Sequence, residues 1–357
     1  MRLAQLDAVR AMAIALVIVE HYGGKAINSH FPLGAGSLGV GLFFCLSGFL
    51  ITSILLSEFS KDEPPISVLM NFYARRFLRL VPPYYAWIAI LVILGIEPVA
   101  SSWPWHVTYL SNVWNALGHP ILDFWSLAVE EQFYLLWPFV ILLTPARLRL
   151  IVIISSTIFF SLLFKFAMAE LGYSGNTIQT LLFTNLSELG VGALVGALAF
   201  RHAQPFDFSW YTPKIDRAYM AICGTSIGVA ILAWYLWGTG SAFRTYINDV
   251  ACALPMAWMV IRSAIGFTGP FGAVLDNRII QYIGRISYGI YLTHNFVPEI
   301  LRSFFGEMSR PMLGVSSMAL TLIITTLSWH YFEQPILKLK RYFTTGARSG
   351  KQTVTDS

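Results

Sequence analysis

Ten apolar stretches of near-membrane length follow one another along this chain, near residues 8–23, 36–57, 80–97, 125–144, 150–168, 180–200, 218–238, 249–268, 286–305 and 311–331. A helix crossing the hydrocarbon layer needs roughly 20 mainly apolar residues. Inside lipid every backbone amide must be satisfied within its own segment or a closed barrel. The spacing therefore predicts an all-α integral membrane protein of about ten transmembrane helices. Composition agrees: 56% of the 357 residues are hydrophobic and only 12% are charged. A soluble domain carries about 25% charged residues, and half that charge cannot cover a water-facing surface of this size. An ordinary cytosolic enzyme, a disordered chain and a disulfide scaffold are excluded. The three cysteines, Cys45, Cys223 and Cys252, all lie in apolar runs and read as small buried hydrophobes, with no disulfide framework or metal site.

The positive-inside rule orients the ten segments. With the N-terminus cytoplasmic, the inner loops collect Arg2, Lys61, the arginines at 75, 76 and 79, Arg147, Arg149, Arg201, Lys214, Arg217, Arg278 and Arg285. The C-terminal stretch adds Lys338, Lys340, Arg341, Arg348 and Lys351, whereas only Lys25, Lys165, Arg244, Arg302 and Arg310 fall at outer ends. Both termini are thus expected in the cytoplasm. The basic residues trace a membrane surface, and no nucleic-acid partner is expected. Asp7, Arg10, Glu20 and His21 interrupt the first apolar segment, which reads as a retained helix and not a cleaved signal. Residues 1–343 are expected to form one transmembrane domain, followed by a flexible cytoplasmic tail over 344–357.

Ionisable groups inside a membrane cost about 2.5–3.5 kcal/mol each on insertion scales, which makes them functional candidates. Arg10 and His21 are eleven residues apart, close to three helical turns, so they share a face about 16 Å apart along the axis. Histidine takes up and returns a proton near neutrality. A cation at the inner mouth and a proton acceptor farther along suit a reaction with an anionic cytoplasmic reagent. A buried histidine bonded to a carbonyl or to Glu20 is the plainer alternative. Arg75, Arg76 and Arg79 form a second cluster at helical spacing. Guanidinium groups hold phosphates bidentately, although a cationic inner loop alone would also place arginines there.

A third cluster runs from Phe124 through Trp125, Ser126, Glu130 and Glu131 to Tyr134. Adjacent helical positions point about 100° apart, so only one of the two acids can face a given cavity. Acids early in a helix also gain from its dipole, which accounts for one of them without any function. Lesser signals are Ser287, Tyr288, Tyr291 and His294, and His330 with Glu333, the last expected simply to end a helix. Trp103, Trp105, Tyr109 and Trp114 crowd the second outer loop, as sugar-stacking surfaces or as an interfacial aromatic belt.

In this order the pieces resemble the bacterial membrane acyltransferase-3 family, the multi-spanning O-acyltransferases that modify cell-envelope sugars. The resemblance rests on Leu6-Asp7-Ala8-Val9-Arg10 followed by His21, and on the Gly39-Val40-Gly41-Leu42-Phe43-Phe44-Cys45-Leu46-Ser47-Gly48-Phe49-Leu50-Ile51 run. It continues through Arg75/Arg76/Arg79, Trp125-Ser126-Leu127 with Glu130 and Tyr134, Ile286-Ser287-Tyr288 with His294, and Tyr331-Phe332-Glu333-Gln334-Pro335. Ala8 stands where the family usually has glycine. The resemblance implies transfer of an acyl group, most often acetyl, from cytoplasmic acyl-CoA to a carbohydrate hydroxyl, in a multi-pass protein of the bacterial inner membrane. His21 becomes the candidate base, with Arg10 its partner and Glu130 a second catalytic candidate, to orient the imidazole or hold its protonated form. Arg75, Arg76 and Arg79 become contacts for the CoA phosphates. Ser47, Trp125, Ser126, Tyr134, Tyr288 and His294 become substrate or supporting residues. No resident cofactor or metal is implied, and the standalone build without a fused esterase-like domain is expected. The acceptor is an exopolysaccharide, lipopolysaccharide or lipid-linked glycan, with a macrolide-like metabolite as the alternative. A transporter of acyl groups or glycan precursors is the rival outside the enzymes, disfavoured by the lack of an internal repeat.

Overall fold

The computed structural model describes residues 4–23, 34–119, 124–144, 146–237 and 242–343. Among them there is no β-strand, and each expected apolar segment falls in a helix. The long helices are α1 (Ala4–Tyr22), α2 (Ala35–Phe59), α3 (Pro65–Ile93), α6 (Phe124–Leu142), α7 (Arg147–Glu170) and α9 (Leu182–Leu198), followed by α10 (Pro213–Trp237), α11 (Ala242–Ile265), α13 (Arg278–Thr293) and α15 (Arg310–Ser328). Short helices α4 (Val99–Val107), α5 (Ser111–Ala116), α8 (Gly175–Thr180), α12 (Gly269–Leu275) and α14 (Val297–Phe305) fill the connections. The chain is an all-α membrane protein.

Among the described residues, five helical stretches are long and apolar enough to cross a bilayer: Ala35–Phe59, Pro65–Ile93, Arg147–Glu170, Pro213–Leu236 and Arg310–Tyr342. The pair Tyr246–Ile265 and Gly269–Leu275, bent by 85°, adds a sixth if it counts as one span. The other expected segments are helical but shorter, or carry ionisable residues that lower their mean hydropathy. α7 and α10 leave apolar side chains such as Val152, Phe159, Leu163, Ile222, Val229 and Leu232 exposed. A helix face of this kind is stable only against lipid.

Three segments differ from the sequence expectation. The span expected at 80–97 belongs to a helix that begins at Pro65, so the three arginines sit on the same rod as the Pro82-Pro83 pair. The segment expected at 286–305 is broken: α13 ends at Thr293, and α14 starts at Val297 with a proline in its first turn. Pro298 has no amide proton for the His294 carbonyl four residues back, and its ring crowds that carbonyl, which accounts for the break. Beyond α15 the helix does not stop at Glu333. Trp329–Glu333 form a π-helical turn, and Gln334–Leu337 and Lys338–Tyr342 continue as α- and 3₁₀-helix. The expected tail at 344–357 lies outside the described residues.

Glycines decide which helices lie side by side. A Cβ at Gly48 of α2 would run into the Leu189 carbonyl of α9, and one at Gly192 of α9 into the Cys45 carbonyl of α2. The two backbones are therefore in direct contact, the small-residue packing that lets helices associate where no hydrophobic drive separates them from lipid. Gly284 plays the same part between α13 and the Asp7 carbonyl of α1. α13 begins cleanly because the Asn277 side chain caps the Ile279 amide at 2.8 Å. These contacts bring α1, α2 and α13 together, and α3 and α6 close the group.

Candidate active site

Three cavities run on from one another through this group of helices. A mouth of about 710 Å³ is lined by Asp7, Arg10, Arg79, Arg285, Tyr288 and Glu333. It shares Arg10, Arg79, Leu50, Ile54 and Tyr288 with a central cavity of about 230 Å³. The central cavity shares Val40, Phe44 and Tyr291 with a third, of about 220 Å³, that holds Glu20 and His21. The track thus leads from arginines at one end to an imidazole at the other.

The wall of the central cavity follows from helical spacing. Ser126, Glu130 and Tyr134 lie four residues apart along α6 and share one face, and all three line the cavity. Ser47 of α2 donates to Glu130 Oε1 at 2.7 Å, and its oxygen lies 2.7 Å from the Tyr134 hydroxyl. Ser126 and Tyr291 hydroxyls meet at 2.5 Å, tying α6 to α13. The Tyr288 hydroxyl donates to the Leu80 carbonyl at 2.9 Å. Pro82 and Pro83 lack the amide protons that would reach the Leu78 and Arg79 carbonyls, so the ladder of α3 is incomplete just before Leu80. The Arg76 guanidinium stands 5.2 Å from the Tyr134 ring centroid and 5.7 Å from that of Phe72, a cation–π arrangement that holds the cation at the cavity edge.

The arginines divide. Arg76 and Arg79 line the central cavity. Among the described residues, neither guanidinium has a carboxylate within ion-pair distance. Arg75 points elsewhere: its Nη1 donates to the Phe343 carbonyl at 3.0 Å and its Nη2 lies 3.9 Å from Glu58. It braces the C-terminal helical segment against α3 and lines none of the three cavities. Arg10 lines both the mouth and the central cavity, but its ion-pair partner is Asp7, at 2.7 Å. It does not meet His21, because three turns of α1 separate them. Arg285, counted in the sequence only as a loop charge, supplies another cation to the mouth.

His21 ends α1 and meets a second histidine. Its ring lies 4.9 Å from that of His294, edge to face. His294 is fully buried at the break after α13. Its Nδ1 donates to the Tyr291 carbonyl at 2.6 Å, while its own carbonyl accepts from the Tyr22 hydroxyl at 2.6 Å. The break in the ninth segment therefore presents an imidazole to His21. Glu130, in contrast, lines the central cavity and not the one that holds His21. Its hydrogen bond goes to Ser47, so it does not orient the imidazole as expected. Trp125 reaches the His21 cavity from α6.

Sequence reasoning missed three residues of that cavity's surroundings. Lys165, expected at an outer end, is buried in α7 and donates to Glu188 Oε1 of α9 at 2.7 Å and to Asp249 Oδ2 of α11 at 2.9 Å. Ser187 donates to the other oxygen of Glu188 at 2.7 Å. Glu188 and Asp249 both line the cavity beside His21. The available signal was a lysine inside an apolar run, where an ionisable residue demands a partner. Glu333 is likewise more than a helix end: it is buried, accepts from Ser328 at 3.1 Å and lines the mouth. The outer-loop aromatics Trp105 and Trp114 stack on each other at 4.7 Å, and neither lines the track.

Comparison with known proteins falls in line with this arrangement. The profile described as Acyltransferase domain matches residues 3–330. The peptidoglycan O-acetyltransferase OatA of Listeria monocytogenes is 28% identical over 93% of this chain and 55% of its own length. The O-acetyltransferase OatA of Staphylococcus aureus is 28% identical over 93% of this chain and 57% of its own. The chain thus spans a little over half the length of these curated relatives. No solved structure matches it. With the profile extending over nearly the whole of the described bundle and its cavity track, the chain belongs to the membrane acyltransferase-3 family.

Proposed function

We propose that this protein transfers an acetyl group from acetyl-CoA to a hydroxyl of a cell-envelope glycan, with the donor entering at the arginine end of the track and the acceptor at the histidine end. The observation that carries the reading is the continuity of three cavities between Arg76/Arg79 and His21. Acetyl-CoA is polyanionic at one end and carries its thioester at the end of a long neutral arm. Arg79, with Arg10, Arg76 and Arg285 nearby, supplies charge-assisted donors for the phosphates. The central cavity, walled by Phe43, Phe44, Leu127 and Tyr291 around a polar strip, suits the arm. Eleven residues of helix between Arg10 and His21 span about 16 Å, so the mouth and the reacting end are a substrate length apart. The positive-inside rule favours a cytoplasmic mouth, on the side where acyl-CoA is found. The relatives named for peptidoglycan O-acetylation favour an envelope glycan over a small metabolite.

The chemistry follows from what a hydroxyl needs. A sugar hydroxyl is a poor nucleophile at neutral pH, and a positioned base contributes typically 10²–10⁴-fold. His21 takes the hydroxyl proton as the oxygen bonds to the thioester carbonyl carbon. The C–S bond then breaks, the sulfur leaves and recovers a proton from the imidazolium, and the products are an acetyl ester and free CoA. His294 holds the His21 ring in place through edge contact. Glu130, fixed by Ser47 and near Arg76, acts on the arm and the arginine and not on the proton.

Transfer of labelled acetyl from acetyl-CoA to a tetramer of N-acetylglucosamine by the purified protein in lipid nanodiscs tests this reading. The expected result is an alkali-labile ester on the glycan and one free CoA per ester. Labelled protein or glycan appearing only with a non-thioester donor would reject acetyl-CoA as the substrate.

A further inference from the structure

The cavity beside His21 is walled unlike the rest of the track. Whereas the mouth carries arginines, this end carries the carboxylates Glu20, Glu188 and Asp249, with Gln179 and the indole of Trp125. Glu188 and Asp249 come from α9 and α11 and converge because both bind Lys165, whose side chain is only 2% exposed. A buried ion cluster of this kind adds little stability over well-packed apolar residues. What it does here is fix two carboxylates in the cavity wall. Lys165 and Ser187 occupy one acceptor site on each Glu188 oxygen and one on Asp249. A carboxylate offers about four, so both acids keep acceptor capacity toward the cavity. Asp249 retains 20% side-chain exposure.

Among the described residues that line this cavity there is no lysine or arginine, and acceptors beside a flat aromatic face match a ligand rich in hydroxyl donors and lacking negative charge. We propose that this cavity is the acceptor subsite and that Glu188 and Asp249, held by Lys165, bind an uncharged saccharide and turn away an anionic one. The two ends of the track then sort the two substrates by charge: the polyanionic donor is drawn to the arginines and repelled at the far end. Like charges brought together in such a site disfavour the wrong partner strongly. The assignment of this end to the acceptor rests on the acetyl-transfer reading above; the charge preference of the cavity does not.

Calorimetric binding to the full chain in nanodiscs reads the subsite without requiring turnover. The probes are a tetramer of N-acetylglucosamine and its carboxymethylated derivative. The uncharged tetramer is expected to bind at least tenfold more tightly. Asp249→Asn, which keeps an oxygen for Lys165, is expected to cut that preference several-fold and to weaken binding of the uncharged tetramer. Gln179→Glu leaves the ion cluster intact and is expected to widen the preference, which keeps the test decisive if Asp249→Asn fails to fold. Equal binding of the two tetramers, binding of neither, or a preference untouched by Gln179→Glu overturns the proposal. Tight, selective binding without any acetyl transfer from acetyl-CoA would instead overturn the reaction and leave the saccharide site standing.

Discussion

The imidazole of His21 meets that of His294 edge to face, with ring centroids 4.9 Å apart. The two come from opposite ends of the sequence, one closing α1 and the other filling the break after α13. Because a carbonyl only accepts, the Nδ1 of His294 carries its proton toward Tyr291, which fixes the second ring. His294 therefore packs against His21 without itself lining the cavity beside it. His294→Phe is expected to lower kcat about 10- to 100-fold, the size of effect produced by misplacing a reacting group by about an ångström. KM for acetyl-CoA should stay within twofold. An equal rise in that KM would place His294 in donor binding instead.

Arg76 and Arg79 face the central cavity, while Arg75 is turned to Phe343 and Glu58. Hydrogen bonds to charged groups are worth about 1.5–3 kcal/mol. Arg79→Ala and Arg76→Ala are each expected to raise KM for acetyl-CoA roughly 10- to 100-fold, more so at low salt. Arg75→Ala should leave that KM nearly unchanged and lower the thermal midpoint instead. Initial-rate kinetics beside thermal unfolding of the three variants separate the roles.

Gly48 and Gly192 let α2 and α9 touch backbone to backbone. Overpacking a close-packed interior costs typically 1–3 kcal/mol, and here the obstacle is main chain, which cannot swing aside. Gly48→Val is expected to exceed that range and to abolish recovery of folded protein. Gly224, which has open space around it, should accept alanine without loss. Yield of monodisperse protein after detergent extraction is the measurement.

Lys165→Met should cost about 3–5 kcal/mol, the usual result of leaving buried charges without their partner. The triple change Lys165→Met, Glu188→Gln, Asp249→Asn removes all three charges together and should recover most of that loss. Thermal unfolding of the single and triple variants in the same detergent tests the coupling. Additive destabilisation would show that the three groups do not act as one cluster.

Much of this was legible before any coordinates. Length and apolar composition placed the long segments in helices, apart from the break inside 286–305, and the four-residue spacing of Ser126, Glu130 and Tyr134 was there to set them on one face. Local spacing also identified Arg10 and His21 as the two ends of a path along α1. What it left open were the partners. Whether an arginine turns inward or braces a neighbour depends on distant chain: Arg75 is committed by Phe343, 268 residues away, and Arg10 by the nearer Asp7. Glu188 and Asp249 lie 23 and 84 residues beyond Lys165 along the chain. No periodic pattern links them, and only the packing of α7, α9 and α11 brings them together. The break at His294 had a local cause in Pro298, but its consequence, a buried imidazole against His21, required the fold.

The central claim is that His21 accepts the proton of the attacking hydroxyl. Acetyl transfer from labelled acetyl-CoA to a tetramer of N-acetylglucosamine by His21→Ala, beside the unaltered protein in identical nanodiscs, tests it most directly. Loss of a general base removes typically 10²–10⁴-fold in rate, so the account predicts at least a hundredfold fall with acetyl-CoA binding and thermal midpoint retained. Transfer by His21→Ala at the rate of the unaltered protein would contradict it.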